Sequence, residues 1–453
     1  MACAPEFDLL TGLIAQTIWG NRRAKRGPRI FCGPLRIRSR CRALTIHGEH
    51  TGVLRVLRQE TYVMSTAIDG SAPTFLPRPV RNTLPTASKP LKIAQIAPLA
   101  ECCPPRLYGG TERIVSFLTE ELVRLGHDVT LFASGDSRTK AKLVPCTDMA
   151  LRLNPAVRDP IPYHMIMLDQ VRRRAEEFDI LHFHVDVLHA PLISAFASRT
   201  VTTLHGRLDL PDLVPFYRAF PDIPLVSISD AQRQPMPPVN WVGTVPHGVP
   251  VDMLPFVDEP MGGYLAFLGR ISPEKRPDRA IAIAARSGVP LKIAAKVDKV
   301  DQAYWDEVIA PLIAVHPNVT FIGEINDAQK PAFLGNARAL LFPIDWPEPF
   351  GLVMIEAMAC GTPVIAFGSG SVPEVIDDGV SGVIVHDVDE AVEAVRHINH
   401  LSRRLVRETF MRRFTVEHMA RAYVAIYRGL VENRTGDAER SLLPRDVPLQ
   451  VVA

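Results

Sequence analysis

The chain has 453 residues, 47% hydrophobic and 22% charged, room for two or three domains of an ordinary globular protein. The net charge of +2 is unevenly spread: residues 1–89 hold 14 Lys and Arg against 5 Asp and Glu, and the remainder holds 37 against 44. The mild acidity of that remainder argues against nucleic acid as a partner, and the absence of any run of 18 apolar residues predicts no membrane-spanning helix.

Seven scattered cysteines suggest neither a disulfide framework nor a metal cluster, which fits a reducing, cytoplasmic setting. Residues 1–89 carry no acid from Thr11 to His47 and show little periodicity. They read as a basic, disordered extension, or as sequence upstream of a start at Met64. At Leu91 the texture changes. LKIAQIAPL is a buried parallel strand. After a Pro- and Gly-rich loop, Thr111 is expected to cap a helix with Ile114, Val115, Leu118, Leu122 and Leu125 on one stripe. Strands at 128–134, 179–185, 200–205, 224–229 and 241–246 follow, with helices near 163–178 and 188–198.

Residues 248–263, rich in Pro and Gly, read as a linker. A second alternation then begins. Strands at 264–269, 291–297 and 319–324 are interleaved with helices near 276–287, 302–315 and 327–336. Next comes LLFPIDWPEPFGLVMIEAMACGTPVIAFGSGSVPEVID (Leu340–Asp377). It reads as a strand at 340–344, a loop, a helix from Gly351 to Cys360 stopped by Gly361, and another strand. A strand at 381–385, a helix at 388–400 and a helix over about 415–432 complete the pattern, and 433–453 is expected to be a flexible tail. The expected fold class is α/β: two Rossmann-like, doubly wound parallel-sheet domains, 90–247 and 264–414, facing across a cleft, with the last helix packing back on the first.

The chemistry concentrates in the Leu340–Asp377 stretch. The helix there is apolar on all sides, hence buried, yet it carries Glu356, and Glu348 stands just before its first turn. A helix start flanked by two acids suits a ligand bearing both phosphates and hydroxyls, such as a nucleotide sugar. The run EPFGLVMIE (348–356), with GTPVIAFGSGSVPEVI (361–376) and FLGRISPEKRPD (267–278), resembles the family-four, or group 1, retaining glycosyltransferases of GT-B fold; LYGGTE (107–112) matches more loosely. The resemblance covers about 91–429.

It implies a set of roles. Arg270 and Lys275 would clamp the departing diphosphate, and Glu356 would bind ribose. Glu348 would meet donor-sugar hydroxyls, and backbone N–H groups near Phe350, Gly351 and Leu352 would hold phosphate oxygens. Gly109 and Gly110 would let backbone approach the donor from the first domain. His184 would lie at the cleft beside the reacting sugar, with His205 and Glu374 as contacts to sugar or acceptor. Neither a cofactor nor a metal is implied beyond the donor.

Other readings stand beside these. His182, His184 and His189 share a neighbourhood, but no acid or cysteine completes a tetrahedral set. GSGSVPE imitates a dinucleotide loop with Pro373 where the third glycine belongs. Glu356 also fits a buried salt bridge. His247-Gly248 stands where the family often has Asn-Gly, which bears on the acceptor. A nucleotide-sugar epimerase, a sugar phosphorylase and a nonenzymatic nucleotide-sugar-binding protein share the pattern. Arg172–Arg174 and Arg403, Arg404, Arg407, Arg412 and Arg413 suggest a peripheral membrane contact, or solvated helix faces.

Overall fold

The computed structural model describes residues 89–106 and 109–442; the expectations for 1–88 and 443–453 lie outside the described residues. Among these, strands β1 (Lys92–Ile96), β2 (Asp128–Ser134), β3 (Lys142–Thr147), β4 (Ile180–Phe183), β5 (Thr200–Thr203), β6 (Leu225–Ser227) and β7 (Trp241–Thr244) form one sheet in the order 3-2-1-4-5-6-7. Strands β8 (Leu265–Arg270), β9 (Leu291–Lys296), β10 (Val319–Gly323), β11 (Ala339–Phe342), β12 (Val364–Phe367) and β13 (Gly382–Val385) form a second, in the order 10-9-8-11-12-13. Every ladder is parallel.

The near-continuous apolar runs follow from burial on both faces. In β1, Ile93 packs with Leu118 and Leu122 on one side, while Ala94 and Ile96 join Phe132 and Met167 on the other. In β8, Leu265 and Phe267 enter one cluster and Ala266 the opposite one. The two-residue period of a strand sends alternate side chains to opposite layers, so each layer needs its own helices.

Helix α1 spans Gly110–Arg124. Thr111 does not cap it: Gly109 holds that position, no side chain caps the end, and Thr111 lies inside the first turn. A Cβ on Gly109 would fall 2.7 Å from Pro105 Cβ, so close packing against the entering loop sets this start. The expected helix near 188–198 is a single short turn, Ala190–Ile193, continued as a 3-10 stretch. Edge strand β3, half-exposed and carrying Pro145, gave no clear sequence pattern.

Helix α2 (Leu352–Ala359) lies within the expected 351–360, and Gly361 ends it with φ +79°. Helix α3 (Arg403–Arg413) packs on it. Helix α4 runs Val416–Leu442, past Asn433 where little order was expected. Its Met419, Tyr423 and Tyr427 are buried against α1 and the first sheet.

The arginine runs are largely engaged within the protein. Arg172 and Arg173 pair with Asp169, and Arg174 pairs with Glu177. Arg403 donates to the carbonyls of Val257 (2.6 Å), Gly335 (2.8 Å) and Ala337 (3.1 Å) and to the Thr362 hydroxyl (2.8 Å). Arg407 donates to the carbonyls of Leu254 (2.9 Å) and Ala359, the last residue of α2. Among the described residues, no helix is long and apolar enough to cross a membrane.

Replacing Arg403 would orphan several carbonyls at once. Arg403→Met is expected to lower the unfolding free energy by about 3 kcal/mol in a urea titration, against less than about 0.5 for a solvent-facing arginine.

Candidate active site

In both sheets the strand order reverses at one point, between β1 and β4 and between β8 and β11, and sheets of this kind form their ligand crevice there, at the strands' carboxyl ends. Arg270 ends β8, and the loop after β11 carries Glu348 and leads into α2. The GlyGly loop follows β1 and the His184 turn follows β4. Most of the expected residues therefore follow four switch-point strands, whereas His205 follows β5 and Glu374 follows β12.

Helix α2 is buried along most of its length, with Met354 to Ala359 at most 3% exposed. The chain enters it through Gly351 at φ +79°, where a Cβ would also lie 2.8 Å from Met354 Cε and 2.9 Å from Phe342 Cζ. Only glycine meets both demands. Gly351, Leu352 and Val353 are half-buried, so the N-terminal end is what the helix presents outward. Across the crevice, a Cβ on Gly110 would stand 4.0 Å from Leu352 Cδ1, which puts the glycine pair opposite the start of α2.

Glu348 is buried, pairs with Lys275, and accepts from Trp346 Nε1 at 2.8 Å. The segment resembling a dinucleotide loop holds this carboxylate's backbone. Gly370, at φ +58°, lies directly against the Glu348 peptide, where a Cβ would clash with backbone. Ser371 N donates to Glu348 O at 3.0 Å, Ser371 Oγ to Phe350 O at 3.0 Å and Ser369 Oγ to Trp346 O at 2.8 Å.

Glu356 forms the buried salt bridge that the sequence left open: Lys330 Nζ lies 2.7 Å from its Oε1. Lys330 also meets Asp327 at 3.2 Å, and Asp327 pairs at 3.1 Å with Arg113 of α1. This network crosses from one sheet's layer to the other's, and sequence reasoning missed it. One signal was present. Lys330 begins the helix Lys330–Gly335, where a cation opposes the helix dipole, so it needs another partner. Arg270 sits among acids, 2.7 Å from Glu274, 3.7 Å from Asp298 and 3.8 Å from Asp301. Burial pushes the Asp301 carboxyl up to about 6 against the pull of Arg270.

His184 is not at the crevice surface. It is 1% exposed and both ring nitrogens are used, Nε2 with Gln95 Oε1 and Nδ1 with His205 Nε2, each at 2.8 Å. An amide oxygen only accepts, so His184 carries its proton on Nε2 and His205 donates from Nε2. That leaves His205 Nδ1 as a lone-pair acceptor, buried and without a protein hydrogen-bond partner. His205 stacks on His247 at 5.2 Å, and His247 meets the edge of Phe350 at 5.0 Å. His184 is thus buried behind His205 and bonded to it. His182 bonds Tyr427 and Thr203, and His189 bonds Thr202. Glu374 is committed elsewhere too: its carboxylate accepts from the backbone of Asp230 (2.7 Å) and Ala231 (2.6 Å), joining the two layers.

Two family models match the chain: glycosyl transferases group 1 over residues 259–408, and glycosyltransferase family 4 over residues 108–231. D-inositol 3-phosphate glycosyltransferases of Mycobacterium tuberculosis and Mycobacterium bovis are 31% identical over 190 residues, 39% of this chain; the chain spans 39% of these curated relatives' length. Among solved structures, AviGT4, a glycosyltransferase involved in avilamycin A biosynthesis, superposes with TM-score 0.61 at 22% identity, covering 76% of this chain and 99% of its own. Sucrose-phosphate synthase of Thermosynechococcus elongatus gives 0.60 at 18% identity, and Anabaena HepE in complex with UDP and glucose gives 0.56 at 17%, each covering 76% of this chain and 100% of its own. At these identities the likeness establishes the fold, which is GT-B.

The buried histidines give the protein a pH dependence. Burial holds His189 near 3, far below the usual value of about 6.5. Below pH 6.5 the unfolded chain therefore binds a proton that the folded one does not, and stability falls with pH until about 3. Relative to His189→Gln, the wild type is expected to lose about 1.4 kcal/mol per pH unit between pH 6 and 4, read from urea titrations of both.

Proposed function

Because the chain belongs to the group 1 glycosyltransferases, we propose that it moves a glycosyl group from a nucleotide-diphosphate sugar to an acceptor, with retention at the anomeric carbon. One observation carries this reading. Two buried carboxylates, Glu348 and Glu356, each held by a lysine, flank the open N-terminal end of a buried helix. In this reading the diphosphate rests on the start of α2, near the backbone of Phe350, Gly351 and Leu352, with Lys275 beside it. Glu356 accepts from ribose hydroxyls, Glu348 from the sugar, and His205 Nδ1 from another sugar hydroxyl. Gly109 and Gly110 close the opposite wall. HepE has been solved with UDP-glucose, which supports a donor of this class.

The developing negative charge on the leaving diphosphate is stabilised by Lys275 and the helix end, with Arg270 joining if phosphate displaces its acids. Both carboxylates are engaged by cations, which disfavours the enzyme nucleophile that retaining glycosidases use. The leaving phosphate can instead take the acceptor's proton on the face it departs from. In this proposal no metal or cofactor takes part, since protein cations serve the diphosphate. We place the reaction in the cytoplasm, where Cys102, Cys103, Cys146 and Cys360 stay free thiols.

The test is nucleotide release from UDP- and GDP-sugars, with and without candidate acceptors. Release that depends on acceptor is expected, and release at full rate without one would indicate an epimerase. Glu356→Gln should weaken donor binding at least about tenfold with folding retained, since a lost hydrogen bond to a charged group is worth about 1.5–3 kcal/mol. Unchanged binding removes the ribose role. Dialysis against EDTA is expected to leave the rate within about twofold; a loss restored by a divalent cation would refute the metal-free mechanism.

A further inference from the structure

A cavity of about 350 Å³ opens beside the Glu348 loop, lined from one layer by Arg207, Asp209 and Gln234 and from the other by Pro347 and Pro349. These prolines are the two chain neighbours of Glu348. Its walls are held in advance of any ligand. Gln232 donates to the carbonyls of Leu204 (2.9 Å) and Gly206 (2.8 Å) and accepts from Ile228 N (2.9 Å), which fixes the loop carrying Arg207. Ser229 Oγ donates to Pro349 O at 2.7 Å, and the Glu374 contacts with Asp230 and Ala231 pin the same rim.

The lining has a definite chemistry. Arg207 and Asp209 form a two-pronged pair, Nε to Oδ1 at 2.6 Å and Nη2 to Oδ2 at 2.7 Å. The pair is charge-balanced, so it offers fixed donors and acceptors to hydroxyls without a surplus cation for a phosphate or carboxylate. Leu208 and the two proline rings supply apolar surface for C–H faces. The Trp346 indole links this cavity to the phosphate side: Arg207 lies 5.5 Å from its ring centre and Lys275 4.9 Å. The volume falls at the small end of ligand pockets, the size of one or two sugar rings.

We propose that this cavity is the acceptor subsite and that it takes an uncharged, polyhydroxylated ring, a sugar or a cyclitol. The proposal rests on the transferase reading above. An acceptor hydroxyl held there bonds through its oxygen to the anomeric carbon as the bond from that carbon to the diphosphate oxygen breaks. The bonding electrons leave with the diphosphate, which takes up the hydroxyl proton. Asp209 and Arg207 orient the ring and take no proton in this step.

The experiment uses the full chain and whichever of UDP-glucose or GDP-mannose it binds. Methyl α-D-glucopyranoside, methyl α-D-mannopyranoside and glucose 6-phosphate serve as probes. Donor affinity is read by calorimetry, and nucleotide release is followed with each probe. At least one neutral glycoside is expected to raise release tenfold or more, and glucose 6-phosphate much less. Gln234→Trp fills the cavity from its exposed rim. It should abolish that stimulation while donor affinity stays within twofold and the melting temperature is unchanged. Asp209→Asn should weaken the neutral probe and, by freeing the Arg207 charge, improve glucose 6-phosphate. Donor binding with no stimulation by either neutral glycoside overturns the subsite alone. So does undiminished stimulation in Gln234→Trp, or wild-type stimulation by glucose 6-phosphate as strong as by the glycosides. Failure of the wild type to bind any nucleotide sugar overturns the transferase reading and the subsite with it.

Discussion

Helix α2 is buried over most of its length, so its two ends are where its unpaired backbone groups must be answered. The C-terminal end is answered within the protein: Gly361 turns the chain, and Arg403 and Arg407 of α3 donate to the carbonyls of Cys360 and Ala359. The N-terminal end is left facing the crevice, entered through a left-handed glycine that leaves no side chain over it. Charge is then arranged around that end. Lys275 and Glu348 stand before it, Glu356 lies further along the helix, and Lys330 neutralises Glu356 from the start of the helix Lys330–Gly335.

Both halves contribute to holding this arrangement. The ion pairs run from Glu356 through Lys330 and Asp327 to Arg113 on α1, so a charge on the second sheet's helix is tied to the first sheet's layer. Glu374 and Ser229 add hydrogen bonds between the same layers at the far side of the Glu348 loop. Helix α4 follows the second sheet in sequence but packs on the first. A ligand displacing Lys330 or Asp327 would therefore alter contacts that both layers share.

Much of this was legible in the sequence. Strand and helix alternation, the apolar texture of parallel strands and the glycines at both ends of α2 follow from local rules that need no partner. So did the concentration of Glu348, Gly351, Glu356, Arg270 and Lys275 near one crevice, because switch-point strands bring loop residues together once strand order is known. What was not legible depends on groups far apart in the chain. Thr111 has the right chemistry for a helix cap, but Pro105 and Gly109 set the helix start. His184 has the right position just past the end of β4, but Gln95 and His205 consume both of its nitrogens. The glycines of GSGSVPE resemble a phosphate loop, yet Gly370 is needed because another peptide, that of Glu348, lies against it.

The sequence by itself determined the fold class, the family and the stretch where chemistry concentrates, because periodicity, glycine placement and motif spacing are local properties. Tertiary structure decided which of the polar groups there remain available. It paired Lys330 with Glu356, set Arg270 among acids, buried His184 behind His205 and turned Glu374 into a clasp between layers. The reason is that a buried polar group must find its partner in space, and that partner is chosen by how the layers pack.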